Sequence, residues 1–205
     1  MRKSFVAAAG VAILAIVIVA GLFVVRNRAE PYAFNGGELT PAQAAPALPL
    51  EGPGGKPYDV AANAGGVTLL FFGYTTCPDI CPTTVNDFVT VKDELGPLAD
   101  RTDFVLVSVD PERDTHERLA EYLGFFDDSF IGLRGNEEQT DTAKMGYGVI
   151  TQRVEYPESS TKYLIDHTSL IYLIDPAGNL RATYSYGTDP VSIAEDVRYL
   201  LENEA

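Results

Sequence analysis

The only two thiols of this 205-residue chain, Cys77 and Cys81, lie in one segment, Tyr74-Thr75-Thr76-Cys77-Pro78-Asp79-Ile80-Cys81-Pro82-Thr83. The apolar run Val67–Gly73 precedes the segment and a helix-like stretch follows it. Two thiols at a strand-to-helix junction can bind a soft metal ion or be oxidised to a disulfide. A thiolate near a helix amino terminus is stabilised by the backbone dipole, which lowers its pKa and raises its reactivity. Each cysteine is followed by proline, which disfavours helical backbone angles at the residue before it. The helix proper is therefore expected at or after Pro82. The spacing is Cys-x-x-x-Cys, one residue wider than the Cys-x-x-Cys of thiol–disulfide oxidoreductases, and the extra residue gives chelation room.

Two thiolates leave a metal site incomplete, and the chain has only two histidines. His116 sits in the charged turn Asp114-Thr115-His116-Glu117-Arg118 and reads as a surface residue. His167, in Tyr163-Leu164-Ile165-Asp166-His167-Thr168-Ser169, precedes a strand and is the better candidate for a third ligand. Two sulfurs with one imidazole nitrogen suit copper: thiolates favour Cu(I), and the imidazole keeps Cu(II) accessible. Structural zinc sites usually take four ligands, and there is no third cysteine to complete one. Asp166, beside His167, reads either as a group that orients the imidazole or as an ordinary strand-edge carboxylate.

Buried strands and covering helices must bring these residues together. Val67–Gly73 and Phe104–Val109 are continuous apolar runs, as in strands buried on both faces. Val85, Phe88, Val89, Val91 and Leu95 mark a helix ended by Gly96-Pro97. Asp110–Thr115 opens another, with Leu119, Tyr122, Leu123 and Phe126 on one face. Phe130–Leu133 reads as a short strand and Glu137–Tyr147 as a short helix. Val149–Val154 and Tyr163–Ile165 bracket a polar turn and form a hairpin-like excursion. Ser169–Ile174 and Leu180–Tyr186 flank the turn Asp175-Pro176-Ala177-Gly178-Asn179, and Pro190–Asn203 closes the chain as a helix. Early β-α alternation with a late antiparallel pair is the pattern of a thioredoxin-like three-layer α/β sandwich.

Phe5–Val25 is an uninterrupted run of 21 uncharged residues between Arg2-Lys3 and Arg26/Arg28. About 20 such residues cross a bilayer as a helix, and Val24-Val25-Arg26-Asn27-Arg28 offers no clean cleavage site, so residues 1–28 read as an uncleaved membrane anchor, with a cleaved signal peptide as the competing reading. Basic residues flank both ends, so the orientation bias is weak, but an amino-terminal anchor with a short basic head usually leaves that head in the cytoplasm, with the remainder on the periplasmic face of a cell inner membrane or an equivalent extracytoplasmic side. Residues 29–45 are rich in Pro, Gly and Ala and read as a linker, with residues 46–205 as the globular domain. Beyond the anchor, 11 basic residues stand against 29 acidic ones, a net of −18. Such a surface disfavours nucleic acid and anionic lipid.

Three blocks together resemble the Sco/SenC family. Phe72-Gly73-Tyr74-Thr75-Thr76-Cys77-Pro78-Asp79-Ile80-Cys81-Pro82 is similar to the family's copper motif. Val107-Ser108-Val109-Asp110-Pro111-Glu112-Arg113-Asp114 resembles its second block. Tyr163–Thr168 with Tyr172–Gly178 resembles the block that supplies its histidine. The resemblance implies a thioredoxin-like copper metallochaperone with Cys77, Cys81 and His167 as ligands. The implied role is to assist assembly of the dinuclear copper (CuA) centre of cytochrome c oxidase. Its implied partners are oxidase subunit II and a copper donor. It also implies thiol–disulfide reductase activity of Cys77 and Cys81 towards the target's cysteines, the alternative function. Gly54–Gly66 departs from the family's opening strands.

Overall fold

The computed structural model describes residues 32–60, 63 and 65–204. The expected anchor, residues 5–25, lies outside them, and among the described residues no helix is long and apolar enough to cross a membrane. The core is a six-stranded sheet in the order β1-β8-β7-β2-β3-β4. Its strands are β1 (Gly37–Ala44), β2 (Val67–Gly73), β3 (Thr102–Ser108), β4 (Ile131–Leu133), β7 (Leu170–Ile174) and β8 (Asn179–Ser185). β5 (Thr151–Tyr156) and β6 (Lys162–His167) form a separate two-stranded hairpin. The helices are α1 (Ile80–Leu95), α2 (His116–Gly124), α3 (Glu137–Tyr147) and α4 (Pro190–Asn203).

β2 pairs in parallel with β3, and β3 with β4, whereas β7 joins β2 antiparallel. Every residue of β2 is buried. Successive side chains of a strand point to opposite faces, so both faces of the sheet must be covered. Phe104 shares a face with Leu69 and Phe71 and packs on Phe88 of α1. On the opposite face Phe72 meets Tyr147 of α3 at 5.4 Å between ring centroids and Tyr172 of β7 at 5.9 Å. α4 packs against α1, and α2 lies close over Gly132 of β4. The helices thus fall into two layers around the sheet, which is the thioredoxin-like α/β arrangement expected.

Three local expectations are revised. Gly37–Ala44, read as part of a linker, is an edge strand paired antiparallel with β8. Nearly all of it is exposed, so it carries no apolar alternation, and Pro41 is tolerated because an edge strand has one unpaired side. α1 begins at Ile80, two residues before Pro82, and Cys81 lies within its first turn. Proline fits there because the first amides of a helix have no partner inside it. α2 begins only at His116, where Thr115 caps it by accepting from the Arg118 amide at 3.2 Å. Residues 110–114 form a turn before it, with the Asp114 amide donating to the Asp110 carbonyl at 2.9 Å. Upstream of β2, Glu51 exchanges two backbone hydrogen bonds with Arg134, so the chain around residue 51 covers the β4 edge.

Phe72→Ala would empty the space between β2, β7 and α3. The expected loss is roughly 3–5 kcal/mol, typical of a buried Phe→Ala change. It should appear in urea denaturation as a lower midpoint, and a loss below about 1 kcal/mol would contradict this packing.

Candidate metal centre

The strand–loop–helix unit β2-loop-α1 carries both thiols to one end of the sheet. Cys81 is fully buried and its sulfur lies over Gly73. A Cβ on residue 73 would stand 3.0 Å from the Cys81 sulfur and 2.8 Å from the Phe71 ring. Only glycine lets the helix start this close to the strand end. Cys77, outside the helix and partly exposed, accepts from the Cys81 amide at 3.4 Å. The four-residue spacing thus places the first sulfur at the amino terminus of α1, where the free amides favour an anion.

The two thiols differ in acidity. The Cys77 pKa is lowered to about 4, first because the Cys81 thiol donates to its sulfur, with further help from His167 and backbone amides against the cost of burial. Cys81 is pushed strongly upward by the same shared proton and by burial. The hydrogen bond between the two sulfurs is the largest cause of both shifts, so the thiols titrate as one coupled pair with Cys77 the more acidic.

His167 arrives from the last residue of β6, 86 positions along the chain from Cys81, and its Nε2 stands 3.4 Å from the Cys81 sulfur. Its Nδ1 lies 3.0 Å from the Thr168 carbonyl oxygen. A carbonyl only accepts, so Nδ1 carries a hydrogen, and Nε2 is the ring nitrogen that faces the thiols. Phe71 and Tyr74 pack edge-on against the ring at 5.8 and 6.0 Å between centroids. The ligand atoms of Cys77, Cys81 and His167 all lie within 4.8 Å of one another. Among the described residues this is the one group of three or more His, Cys, Asp or Glu so placed. Cys77 and His167 line a cavity of about 360 Å³ together with Tyr74, Pro78, Asp79 and Asp166, while Cys81 is buried behind it. Two soft sulfurs and one imidazole nitrogen, with an open side, fit a thiophilic ion of low coordination number.

Of the remaining candidates, Asp166 is exposed, while Tyr163, Ile165 and His167 share the other side of β6. The imidazole is oriented by the Thr168 carbonyl and not by Asp166. His116 is remote from this cluster: its Nε2 lies 3.5 Å from a Glu51 oxygen and its side chain is 23% exposed, so it is less of a surface residue than expected.

The turn 110–114 has a structural task that its residue types alone do not reveal. The Asp114 carboxyl group is fully buried, and burial raises its pKa. It accepts from the Thr75 hydroxyl at 2.6 Å, the Thr75 amide at 3.2 Å and the Ser108 hydroxyl at 2.6 Å. Arg118 then donates to the hydroxyls of Thr75 and Thr76, at 2.7 and 3.1 Å. The loop before Cys77 is thereby pinned to the end of β3. On the other side, the Tyr74 hydroxyl accepts from the Ile165 amide at 3.0 Å and ties the cysteine loop to β6. The juxtaposition of Asp110 and Asp114 with Arg113 was the available sequence signal, but its partners are distant in the chain.

A family model described as SCO1/SenC matches residues 48–202. An SCO2-like protein of Rickettsia conorii is 36% identical over 134 residues, which are 65% of this chain and 65% of the relative, so the match spans just under two thirds of that protein. The copper-bound structure of ScoI from Bradyrhizobium japonicum is 33% identical with a TM-score of 0.69, covering 77% of this chain and 99% of that one. The apo Sco1 solution structure from Thermus thermophilus is 34% identical with a TM-score of 0.72, covering 84% and 99%.

Two measurements probe this geometry. Iodoacetamide at pH 6 should label Cys77 well before Cys81, because a thiol of pKa about 4 is already thiolate there. Labelling should fall as pH drops through about 4, and a Cys77 profile centred near the ordinary thiol value of about 8.5 would refute the assignment. Asp114→Ala leaves the Thr75 and Ser108 hydroxyls without their acceptor. It should cost about 1–3 kcal/mol in chemical denaturation.

Proposed function

Because the chain belongs to the SCO1/SenC family, matched over residues 48–202, we propose that it binds one copper ion through Cys77, Cys81 and His167 and passes it on in the assembly of the CuA centre of cytochrome c oxidase. The observation that carries this reading is the convergence of two sulfurs and one imidazole nitrogen within 4.8 Å, with Cys77 and His167 lining a cavity. Thiolates stabilise Cu(I), and the imidazole keeps Cu(II) accessible. Three ligands leave an open side from which an accepting site can displace them one at a time. The partners in this reading are a copper donor and oxidase subunit II. Residues 5–25 would anchor the protein in the inner membrane with this domain on the periplasmic side.

Binding requires both thiols reduced, so oxidation to a Cys77–Cys81 disulfide would abolish it. Copper titration of the reduced protein should saturate at one ion per chain, and X-ray absorption should count about two sulfur neighbours and one imidazole nitrogen. His167→Ala should weaken binding and remove the nitrogen while the fold is retained. Unchanged affinity and unchanged nitrogen count in that variant would end this reading.

The thiol asymmetry favours a second use of the same pair. The Cys77 thiolate can attack a partner's disulfide, forming a mixed disulfide and releasing one partner thiolate. Cys81, on losing its proton, then attacks the Cys77 sulfur and releases the second partner thiolate. The partner gains two electrons and the chain is left with a Cys77–Cys81 disulfide. Copper-free reduced protein should reduce a disulfide peptide stoichiometrically, and Cys81→Ser should stop at the mixed disulfide, seen by mass spectrometry.

A further inference from the structure

The hairpin that delivers His167 shares no strand pairing with the six-stranded sheet. A two-stranded hairpin is marginal on its own in water, so its position depends on side-chain tethers. Two of these are weak. Arg153 bridges to Glu112, but the side chains are 46% and 65% exposed, and exposed ion pairs contribute little. Lys144 reaches the Thr151 hydroxyl at 3.0 Å as a single hydrogen bond near the hairpin base.

The Arg113 tether is of another kind. Its side chain is only 17% exposed. One nitrogen, Nη1, donates to the carbonyls of both Thr161 and Tyr163, at 2.8 and 3.0 Å. Its Nε donates to Asp110, and its plane lies 3.6 Å from the Tyr163 ring centroid. The Tyr163 hydroxyl donates to the same Asp110 at 2.8 Å, closing a three-residue knot. Arg153 covers the other face of that ring at 3.5 Å. Along β6, Tyr163, Ile165 and His167 lie on one side at a spacing of two. Tyr163 is held by Arg113, Ile165 by the Tyr74 hydroxyl, and His167 then faces the dithiol. The turn bearing Arg113 also bears Asp114, which pins the cysteine loop through Thr75.

We propose that Arg113 is a positioning residue for the metal centre: it fixes the distal end of the β5–β6 hairpin to the turn that holds the cysteine loop, and so sets the reach of His167 to the thiols. This deepens the copper reading above and rests on it for its metal-binding arm. Removing the guanidinium loosens the distal end of the hairpin, which keeps only the Tyr74–Ile165 hydrogen bond and the weak tethers, while the dithiol keeps its own anchors, Asp114 and the amino terminus of α1.

The test compares the full chain in detergent with Arg113→Ala, His167→Ala and the double variant. Arg113→Ala should weaken copper binding roughly ten- to a hundredfold, the range for groups that orient a metal ligand, and should reduce the imidazole count in X-ray absorption. Adding Arg113→Ala to His167→Ala should change affinity by no more than about twofold, because both act through one ligand. Without copper, amides of residues 151–167 should exchange faster in Arg113→Ala, while those of β2 and β3 keep their rates. Should Arg113→Ala fail to fold, Tyr163→Leu, which removes the ring and hydroxyl that the knot is built on, is judged by the same measurements. Wild-type hairpin exchange, or an Arg113 effect that persists in full on the His167→Ala background, would overturn the proposal. If His167→Ala leaves copper affinity unchanged, the copper reading fails by itself, and the exchange arm still decides whether Arg113 holds the hairpin.

Discussion

A buried carboxyl group and an adjacent guanidinium, Asp114 and Arg113, tie two remote pieces of chain, the cysteine loop and the hairpin that ends in His167, to one turn. Asp114 accepts three hydrogen bonds that fix Thr75 and the end of β3. Arg113 donates to the tip of the hairpin that ends in His167. Both belong to a five-residue turn between β3 and α2, so the cysteine loop and the histidine hairpin are referred to one rigid point. Burial strengthens these contacts and also makes them costly to break, since a stranded donor there has no water to turn to.

The reactive pair is built on the same economy of position. A parallel βαβ crossover brings the amino terminus of α1 over the end of β2, and the missing side chain of Gly73 lets the Cys81 sulfur settle there. Cys77, four residues earlier, stays outside the helix and meets its first amides. The two sulfurs are unlike before any metal or partner arrives: the partly exposed Cys77 is pushed towards thiolate and the buried Cys81 away from it, first by the hydrogen bond they share. A dithiol of that kind suits both ion binding and disulfide exchange. The imidazole beside it adds a nitrogen donor to the pair, with Nε2 facing the sulfurs.

Local sequence signals report local burial, and they served well where burial is local. The unbroken apolar run of β2, the helical spacing around Phe88 and the Glu137–Tyr147 stretch of α3 all fold where their patterns point. They failed at β1, whose side chains are solvent-facing on an edge and leave no alternation to read. They failed also at the start of α1, where Pro82 suggests a later beginning although a first-turn proline removes no hydrogen bond.

For this chain the residue types and their spacing alone narrowed the candidate donors to two soft sulfurs four apart and one imidazole, since coordination chemistry depends on which atoms are present. Which group orients that imidazole was decided by tertiary structure, which chose the Thr168 carbonyl over the neighbouring Asp166. Tertiary structure likewise gave Arg113 its partners, Thr161 and Tyr163, some fifty residues away. The physical reason is that strand pleating and loop packing set directions in space, and no periodicity along the chain encodes which distant carbonyl a side chain will meet.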